Sequence, residues 1–376
     1  MRNYITGIAL LAALAACNRD GVDTGLPGVA ADRSSAIGAD GDAARSAVYT
    51  LTNQTSGNAV AIFARAGNGT LTSAGTVATG GTGTGASLGS QGALALSENG
   101  RWLYAVNAGS NDVSILRAEH GVVLVDRFSS LGSMPISLTV RDHLLYVLNA
   151  GGSGNITGFA VDEQGGATPI SGSTQTLSGA AAAVGPAEVA FSSDGRWLVV
   201  TEKSTNLIDV YPVGPHGVAG PRSSHPAAGV TPFGFAFGNH NDLFTSEAAG
   251  TASSYDLDHG SFTVVSRAVN THHAAPCWLV VSKDEHFAYT ANAHDGTISG
   301  FVIRPGGALS LLDANGTTAT PGAGNLDLAF DHDGKYLYQL RSSGPITAYR
   351  VERDGHLSFL GVAGSMPGAV AGLAAR

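Results

Sequence analysis

From Val48 onward, apolar and polar positions alternate in short runs separated by Gly, Asn, Asp and Pro clusters. A period of two in runs this short predicts half-buried strands joined by tight turns rather than helices. The runs repeat as one unit: an apolar strand, a Gly/Asn/Asp turn, an aromatic-rich strand, a polar break and another alternating strand. The aromatic-rich strand occurs seven times, anchored at Tyr49, Tyr104, Tyr146, Val199, Phe244, Tyr289 and Tyr338, with spacings between 42 and 55 residues. A unit of that length made only of strands and turns is one blade of a β-propeller. The expected fold is therefore all-β, a seven-bladed β-propeller of four-stranded antiparallel blades over residues 47–376.

Turn chemistry supports the register. Asn-Gly or Asp-Gly in Ser97-Glu-Asn-Gly-Arg, Ser193-Asp-Gly-Arg and His332-Asp-Gly-Lys favours the positive φ of a hairpin between the first and second strands. Glu119-His-Gly-Val, Asp258-His-Gly-Ser, Pro305-Gly-Gly-Ala and Arg353-Asp-Gly-His read as turns between the third and fourth strands. Innermost strands read at 91–96, 134–140, 186–191, 232–237, 276–281 and 325–330, and a seventh copy is Met366-Pro-Gly-Ala-Val-Ala-Gly-Leu. Blade one shows only three strands at its N-terminal end, near 47–52, 58–65 and 70–77. The C-terminal strand is therefore expected to join that N-terminal blade and close the ring, which removes exposed sheet edges.

Composition narrows the function. Only 13% of the 376 residues are charged and the net charge is −9, with no Lys/Arg cluster along a strand, so nucleic acid is not an expected partner. The N-terminus reads as a targeting segment: Met1-Arg2-Asn3, an apolar stretch from Ile5 to Ala13, then Leu14-Ala15-Ala16-Cys17. The last four residues resemble the lipobox of bacterial lipoproteins. Residues 1–17 are expected to be a lipoprotein-type signal peptide with Cys17 lipidated, and 18–46 a tether rich in Gly, Ala, Asp and Ser. The protein is then expected in the bacterial cell envelope, membrane-attached through Cys17 and monomeric. Cys277, beside Trp278 on an innermost strand, reads as a buried structural residue.

Three positions past each anchor, the second strand runs into its loop, and these positions form a ring: Thr52, Asn107, Asn149, Glu202, Glu247, Asn292 and Arg341. In a propeller such loops share one face around the channel mouth. Carboxylates on adjacent blades can push their pKa values apart, so Glu202 and Glu247 are catalytic candidates, with Glu247 as general base. Arg341, Asn107, Asn149 and Asn292 are candidate substrate-binding groups. His272, His273 and His294 are expected on the same rim, as is His225; histidine suits proton transfer near neutrality. His273 and His294 join the catalytic candidates and His272 the binding ones. No HxxxH or HExxH spacing occurs, so neither metal nor cofactor is expected. The run Gly80-Gly-Thr-Gly-Thr-Gly has no P-loop lysine and reads as a flexible rim loop.

Gly185-Pro-Ala-Glu-Val-Ala-Phe-Ser-Ser-Asp-Gly-Arg-Trp-Leu, Thr290-Ala-Asn-Ala-His-Asp-Gly-Thr-Ile-Ser-Gly-Phe and Gly67-Asn-Gly-Thr-Leu together resemble the seven-bladed lactonase family, which includes 6-phosphogluconolactonases and fungal carboxymuconate-lactonising enzymes. The resemblance implies a His, a Glu and arginines at the channel mouth. Glu247, in Thr245-Ser-Glu-Ala, matches the glutamate position; the family's Asn-Arg dipeptide is Asn292-Ala293 here, with Arg341 of blade seven as the available substitute. The expected function is a membrane-tethered lactonase or cyclase acting on a small organic-acid lactone at the channel mouth. The alternative is a non-catalytic propeller that binds a ligand or protein partner on its loop-rich face.

Overall fold

The computed structural model describes residues 46–364, 366 and 368–376. The expected signal peptide, Cys17 and residues 18–45 of the tether lie outside the described residues. Within them the chain forms seven antiparallel sheets, each built outward from an innermost strand. The innermost strands of blades two to seven are Leu94–Leu96, Pro135–Arg141, Pro186–Phe191, Pro232–Phe237, Pro276–Val281 and Asn325–Phe330. Blade one takes its innermost strand, Ala371–Ala375, from the C-terminal segment, paired antiparallel to Ala47–Leu51 with Tyr49 opposite Ala374. Blade three carries an extra two-residue strand, Gln175–Thr176, against its third strand. A helical turn at Ala181–Val184 leads into blade four.

Every anchor is buried, because its side chain fills the seam against the next blade. Each such burial contributes ~1.5–3 kcal/mol, and a phenol placed there also needs a hydrogen-bond partner. The Tyr146, Tyr289 and Tyr338 hydroxyls donate to the carbonyls of Gly217, Gly355 and Gly69 at 2.6, 2.7 and 3.1 Å. Each of those glycines lies in the third-to-fourth-strand hairpin of the following blade, so one repeated latch joins neighbouring blades, including seven to one across the ring closure.

The innermost strands present an unpaired edge to the channel, and its N–H groups need acceptors. A side chain from the preceding blade supplies one at three seams. Ser137 Oγ accepts from Val189 N at 3.1 Å, Glu188 Oε2 from Phe235 N at 2.6 Å, and Asp327 Oδ2 from Leu373 N at 3.1 Å. Blade five has Gly234 at the corresponding position. A Cβ there would fall 2.1 Å from Gln91 Oε1, and it is Gln91 that accepts from Leu279 N, at 2.9 Å.

Gln91 reaches blade six because residues 89–92, in the connection from blade one to blade two, cross the channel axis. Lys203 Nζ donates to Gly89 O at 2.5 Å, Trp278 Nε1 to Ser90 O at 2.9 Å, and Ser90 Oγ to Ile136 O at 2.8 Å. Gln91 N donates to Ala187 O at 3.2 Å, and its side-chain amide to Leu279 O at 2.8 Å. One segment thus bonds to blades three, four and six and plugs the channel. The glycine run that precedes it, expected to be a flexible rim loop, is hydrogen-bonded as well: Gly83 N and Gly85 N donate to Gln54 O and Asn53 O, both at 2.8 Å.

Candidate functional site

The ring expected to line the channel mouth is buried beneath the loops. Asn107, Asn149, Glu202, Glu247 and Asn292 have no solvent exposure, and Arg341 is half-buried. The reason is the bend between the second and third strands, where connecting backbone passes overhead and needs polar partners. Glu247 Oε1 accepts from Gly229 N and Ser253 Oγ, both at 2.6 Å, and Oε2 accepts from Thr251 Oγ1. Gly229 lies in the connection entering blade five, and a Cβ on it would fall 1.8 Å from Glu247 Oε2. Glu202 likewise accepts from Ser178 N at 2.9 Å, from Ser178 Oγ, and from Thr205 Oγ1 at 2.7 Å. Asn107 Nδ2 donates to Asp112 Oδ1 at 2.6 Å and Ser114 Oγ at 2.8 Å, while Asn292 Nδ2 donates to Thr297 Oγ1 and Ser299 Oγ, both at 2.8 Å. Asn149 Nδ2 donates to Asn155 Oδ1 at 2.8 Å.

Glu202 and Glu247 thus hold the connection entering their own blade, as do Asn149 through Ser130 O at 3.2 Å and Asn107 through Thr79 Oγ1 at 2.7 Å, while Asn292 bonds within its blade. The expected acid/base coupling of Glu202 with Glu247 is also absent. Burial raises the Glu247 pKa, opposed by its hydrogen bonds from Ser253, Thr251 and Gly229, with no contribution from Glu202. The titratable neighbour of Glu202 is Asp209, pushed up to about 7 by burial first and by the Glu202 carboxyl beside it, against the Ser224 hydroxyl.

The rim between blades six and seven is where accessible chemistry collects. His273 comes from the connection entering blade six, His294 and Asp295 from the loop between that blade's second and third strands, and Thr317 from the connection to blade seven. His273 Nδ1 lies 3.2 Å from Asp295 Oδ2, and Nε2 lies 2.7 Å from Thr317 Oγ1. A carboxylate can only accept, so Nδ1 carries a proton, and whenever the ring holds that proton alone Nε2 accepts from the threonine hydroxyl. Asp295 also accepts from Ala274 N at 2.7 Å and from His294 Nδ1 at 2.8 Å. Burial opposes its ionisation, but the hydrogen bonds from His294, Ala274 and His273 outweigh that and hold its carboxyl below the ordinary range. The His273 side chain keeps 15% of its surface exposed and that of His294 56%.

Arg341 borders this group through the backbone. Gly322 N donates to Gly296 O at 3.1 Å, and Gly322 lies against Arg341 Nη1, which itself donates to Pro321 O at 3.4 Å. Arg341 Nε is buried without a hydrogen-bond partner. Four residues singled out in the sequence, His272, His273, His294 and Arg341, therefore stand on one rim, with His272 exposed. Sequence reasoning missed Asp295 and Thr317, although Asp295 directly follows His294. His225 belongs elsewhere: it sits on the outermost strand Ser223–Pro226, its ring 4.9 Å from that of Phe262. Among the described residues no group of three or more His, Cys, Asp or Glu side chains could hold a metal ion.

Comparison with known proteins follows the fold. Residues 43–178 match the family described as "Lactonase, 7-bladed beta-propeller". A candidate 6-phosphogluconolactonase from Bacteroides uniformis superposes with a TM-score of 0.68 at 18% identity, over 86% of this chain and 98% of the other. A protein from Lactobacillus plantarum gives 0.72 at 18% identity, over 88% and 99%. The periplasmic gluconolactonase of Pseudomonas aeruginosa gives 0.66 at 16% identity, over 87% and 98%. At these identities the likeness carries the fold. A sequence search of curated proteins finds no match.

Proposed function

Taking the chain as a lactonase-like seven-bladed propeller, we propose that it hydrolyses a small organic-acid lactone at the rim of blades six and seven, with His273 as general base. One observation carries this reading: an imidazole oriented by an ionised Asp295 through Nδ1, with its basic Nε2 directed at a hydroxyl 2.7 Å away. That is the geometry by which a base, fixed by a third group, activates a nucleophile.

In the proposed reaction, His273 Nε2 takes a proton from a water that attacks the lactone carbonyl from the position Thr317 Oγ1 now marks. The tetrahedral oxyanion collapses, the ring C–O bond breaks, and the released alkoxide takes the proton from His273 to give the open hydroxy acid. Arg341, with donor capacity unspent, would hold the substrate carboxylate or the oxyanion. Glu247 and Glu202 carry no step in this reading, since their buried oxygens are committed to one backbone N–H and two hydroxyls each. We further propose that the protein works as a monomer tethered to an envelope membrane through an acyl chain on Cys17.

The test is a panel of aldono- and carboxy-substituted lactones assayed with the purified protein. His273→Asn should lower kcat at least ~100-fold, the usual worth of a general base. Thr317→Val should keep turnover within ~10-fold. A Thr317→Val loss as deep as that of His273→Asn would make the threonine itself the nucleophile. His273→Asn at wild-type turnover would overturn the reading. If no lactone is turned over while a ligand still binds this face, the binding-module alternative replaces it. Cys17→Ser should move the protein from membranes to the soluble fraction; unchanged membrane association would refute the tether.

A further inference from the structure

We propose that the seam between blades two and three, on the face opposite the His273 rim, is a binding site for an uncharged polyhydroxylated molecule the size of one sugar ring. The starting point is a tyrosine anchor that lacks the latch and borders a cleft; the blade-one anchor hydroxyl, Tyr49, also lacks a partner but is fully buried. In blades three, six and seven the anchor tyrosine hydroxyl donates to a glycine carbonyl of the next blade's outer hairpin. Blade two has the same tyrosine, Tyr104, with 1% of its surface exposed, and its counterpart hairpin at 162–166. Burial pushes up the Tyr104 pKa and no hydrogen bond counters it. Among the described residues its hydroxyl has no partner, and it borders a cleft of about 250 Å³.

The hairpin is otherwise in place. Gly165 packs on Trp102 so closely that a Cβ would fall 2.6 Å from the indole ring. Asp162 Oδ1 accepts from Gln164 N at 2.9 Å and Gly166 N at 2.8 Å, so the turn is internally fixed. The seam is thus built like the others except that the space beside the phenol is left open. That space exceeds the ~150 Å³ that holds a benzene ring.

The lining selects the ligand class. Asn99 Oδ1 accepts from Ser97 Oγ at 2.7 Å and Arg101 N at 2.9 Å, which leaves its NH₂ as a donor. Arg101 adds a guanidinium, lying 5.2 Å from the Trp102 ring centroid and paired with Glu119 at 3.3 Å. His143 Nδ1 donates to Val161 O at 3.2 Å, so the neutral ring's Nε2 is an acceptor. Asp142 and Glu163 complete the acceptors. An anion would meet Asp142, Asp162 and Glu163, and the one guanidinium, Arg101, is already paired with Glu119. Hydroxyl groups both donate and accept, so a neutral polyol can use both kinds of group and the buried phenol together.

The full chain would be titrated calorimetrically with D-glucose, D-galactose and myo-inositol, with D-glucose 6-phosphate as the anionic control. At least one neutral compound should bind with a Kd below ~10 mM, and the anionic control at least ~10-fold more weakly. Tyr104→Phe should weaken binding ~10-fold or more without lowering Tm, because the lost hydroxyl has no protein partner. Asn99→Ala should weaken it independently, and His273→Asn should leave it unchanged. Three results would each overturn the proposal: no binding of the neutral compounds, wild-type affinity in Tyr104→Phe, or preference for the anionic control.

Discussion

Glu247 separates a catalytic ring from a structural one. Its three hydrogen bonds tie the connection entering blade five, through Gly229 N, to the third strand of that blade, through Thr251 and Ser253, and the side chain has no solvent exposure. In Glu247→Ala, Ser253 and Thr251 can turn to other partners, but the half-buried Gly229 N loses its acceptor. An orphaned donor costs ~1–3 kcal/mol and the vacated side-chain volume adds to it, so a total of ~3–5 kcal/mol is expected. Unfolding entropy of ~2.1 cal/mol/K per residue over about 330 residues makes each kcal/mol worth ~1.4 °C, a fall in Tm of ~4–7 °C. Glu247→Gln is different. Its carbonyl can take the Oε1 role, and its NH₂ can donate to Thr251 Oγ1, which a hydroxyl accepts. It should cost no more than ~1 kcal/mol and keep kcat within ~2-fold. Calorimetric Tm and turnover on the same lactone would be measured for both variants. A Glu247→Gln protein with wild-type Tm and ~100-fold lower kcat would refute the structural assignment and return the base to Glu247.

Other consequences can be checked on the same protein. Burial pushes the Asp327 carboxyl up to about 7 and the Lys203 ammonium down to about 7. Between pH ~4 and ~7 the folded state holds a proton on Asp327 that the unfolded chain has lost, so this group makes stability fall as pH rises, by up to ~1.4 kcal/mol per unit. Between ~7 and ~10 the unfolded chain holds the Lys203 proton that the folded state lacks, so stability rises again; Lys203→Met should flatten that upper arm in denaturant titrations, Asp327→Asn should reduce the slope of the lower arm, to which the raised Asp209 and Glu188 carboxyls also contribute, and an unchanged profile would refute the assignment. Leu373, 6% exposed in the closing strand, should cost ~2–5 kcal/mol as Leu373→Ala, and removal of residues 367–376 should abolish the cooperative melt. A truncated protein melting like the intact one would refute ring closure.

The periodic part of the molecule was legible. Anchors recur because each blade must bury one large side chain at the same depth, and prolines mark the innermost strands 186–191, 232–237 and 276–281, whose expected bounds match those observed. Closure by the C-terminal strand followed from counting three strands in blade one. The site was harder to read. A polar residue at the end of a second strand looks the same whether it faces solvent or clasps overhead backbone, and Glu202 and Glu247 are clasps. Thr317 is an ordinary loop residue until folding brings it beside His273, 44 positions away. The plug was hidden for the same reason, since Ser90 meets Trp278 across 188 residues and glycine composition reveals nothing of a partner that distant.

A ring of blades held only by neighbours resembles a bracelet, in which any link can open while the rest stay fastened. Residues 89–92 turn the bracelet into a spoked wheel, because blade two grips blades three, four and six through the hub. Loosening any of those blades also releases the hub, so partial opening is penalised at several joints at once and the ring should melt as one unit. The same hub sets a limit on evolutionary change. A gained or lost blade would alter the hub diameter, and a segment cut to span seven blades would no longer reach its partners.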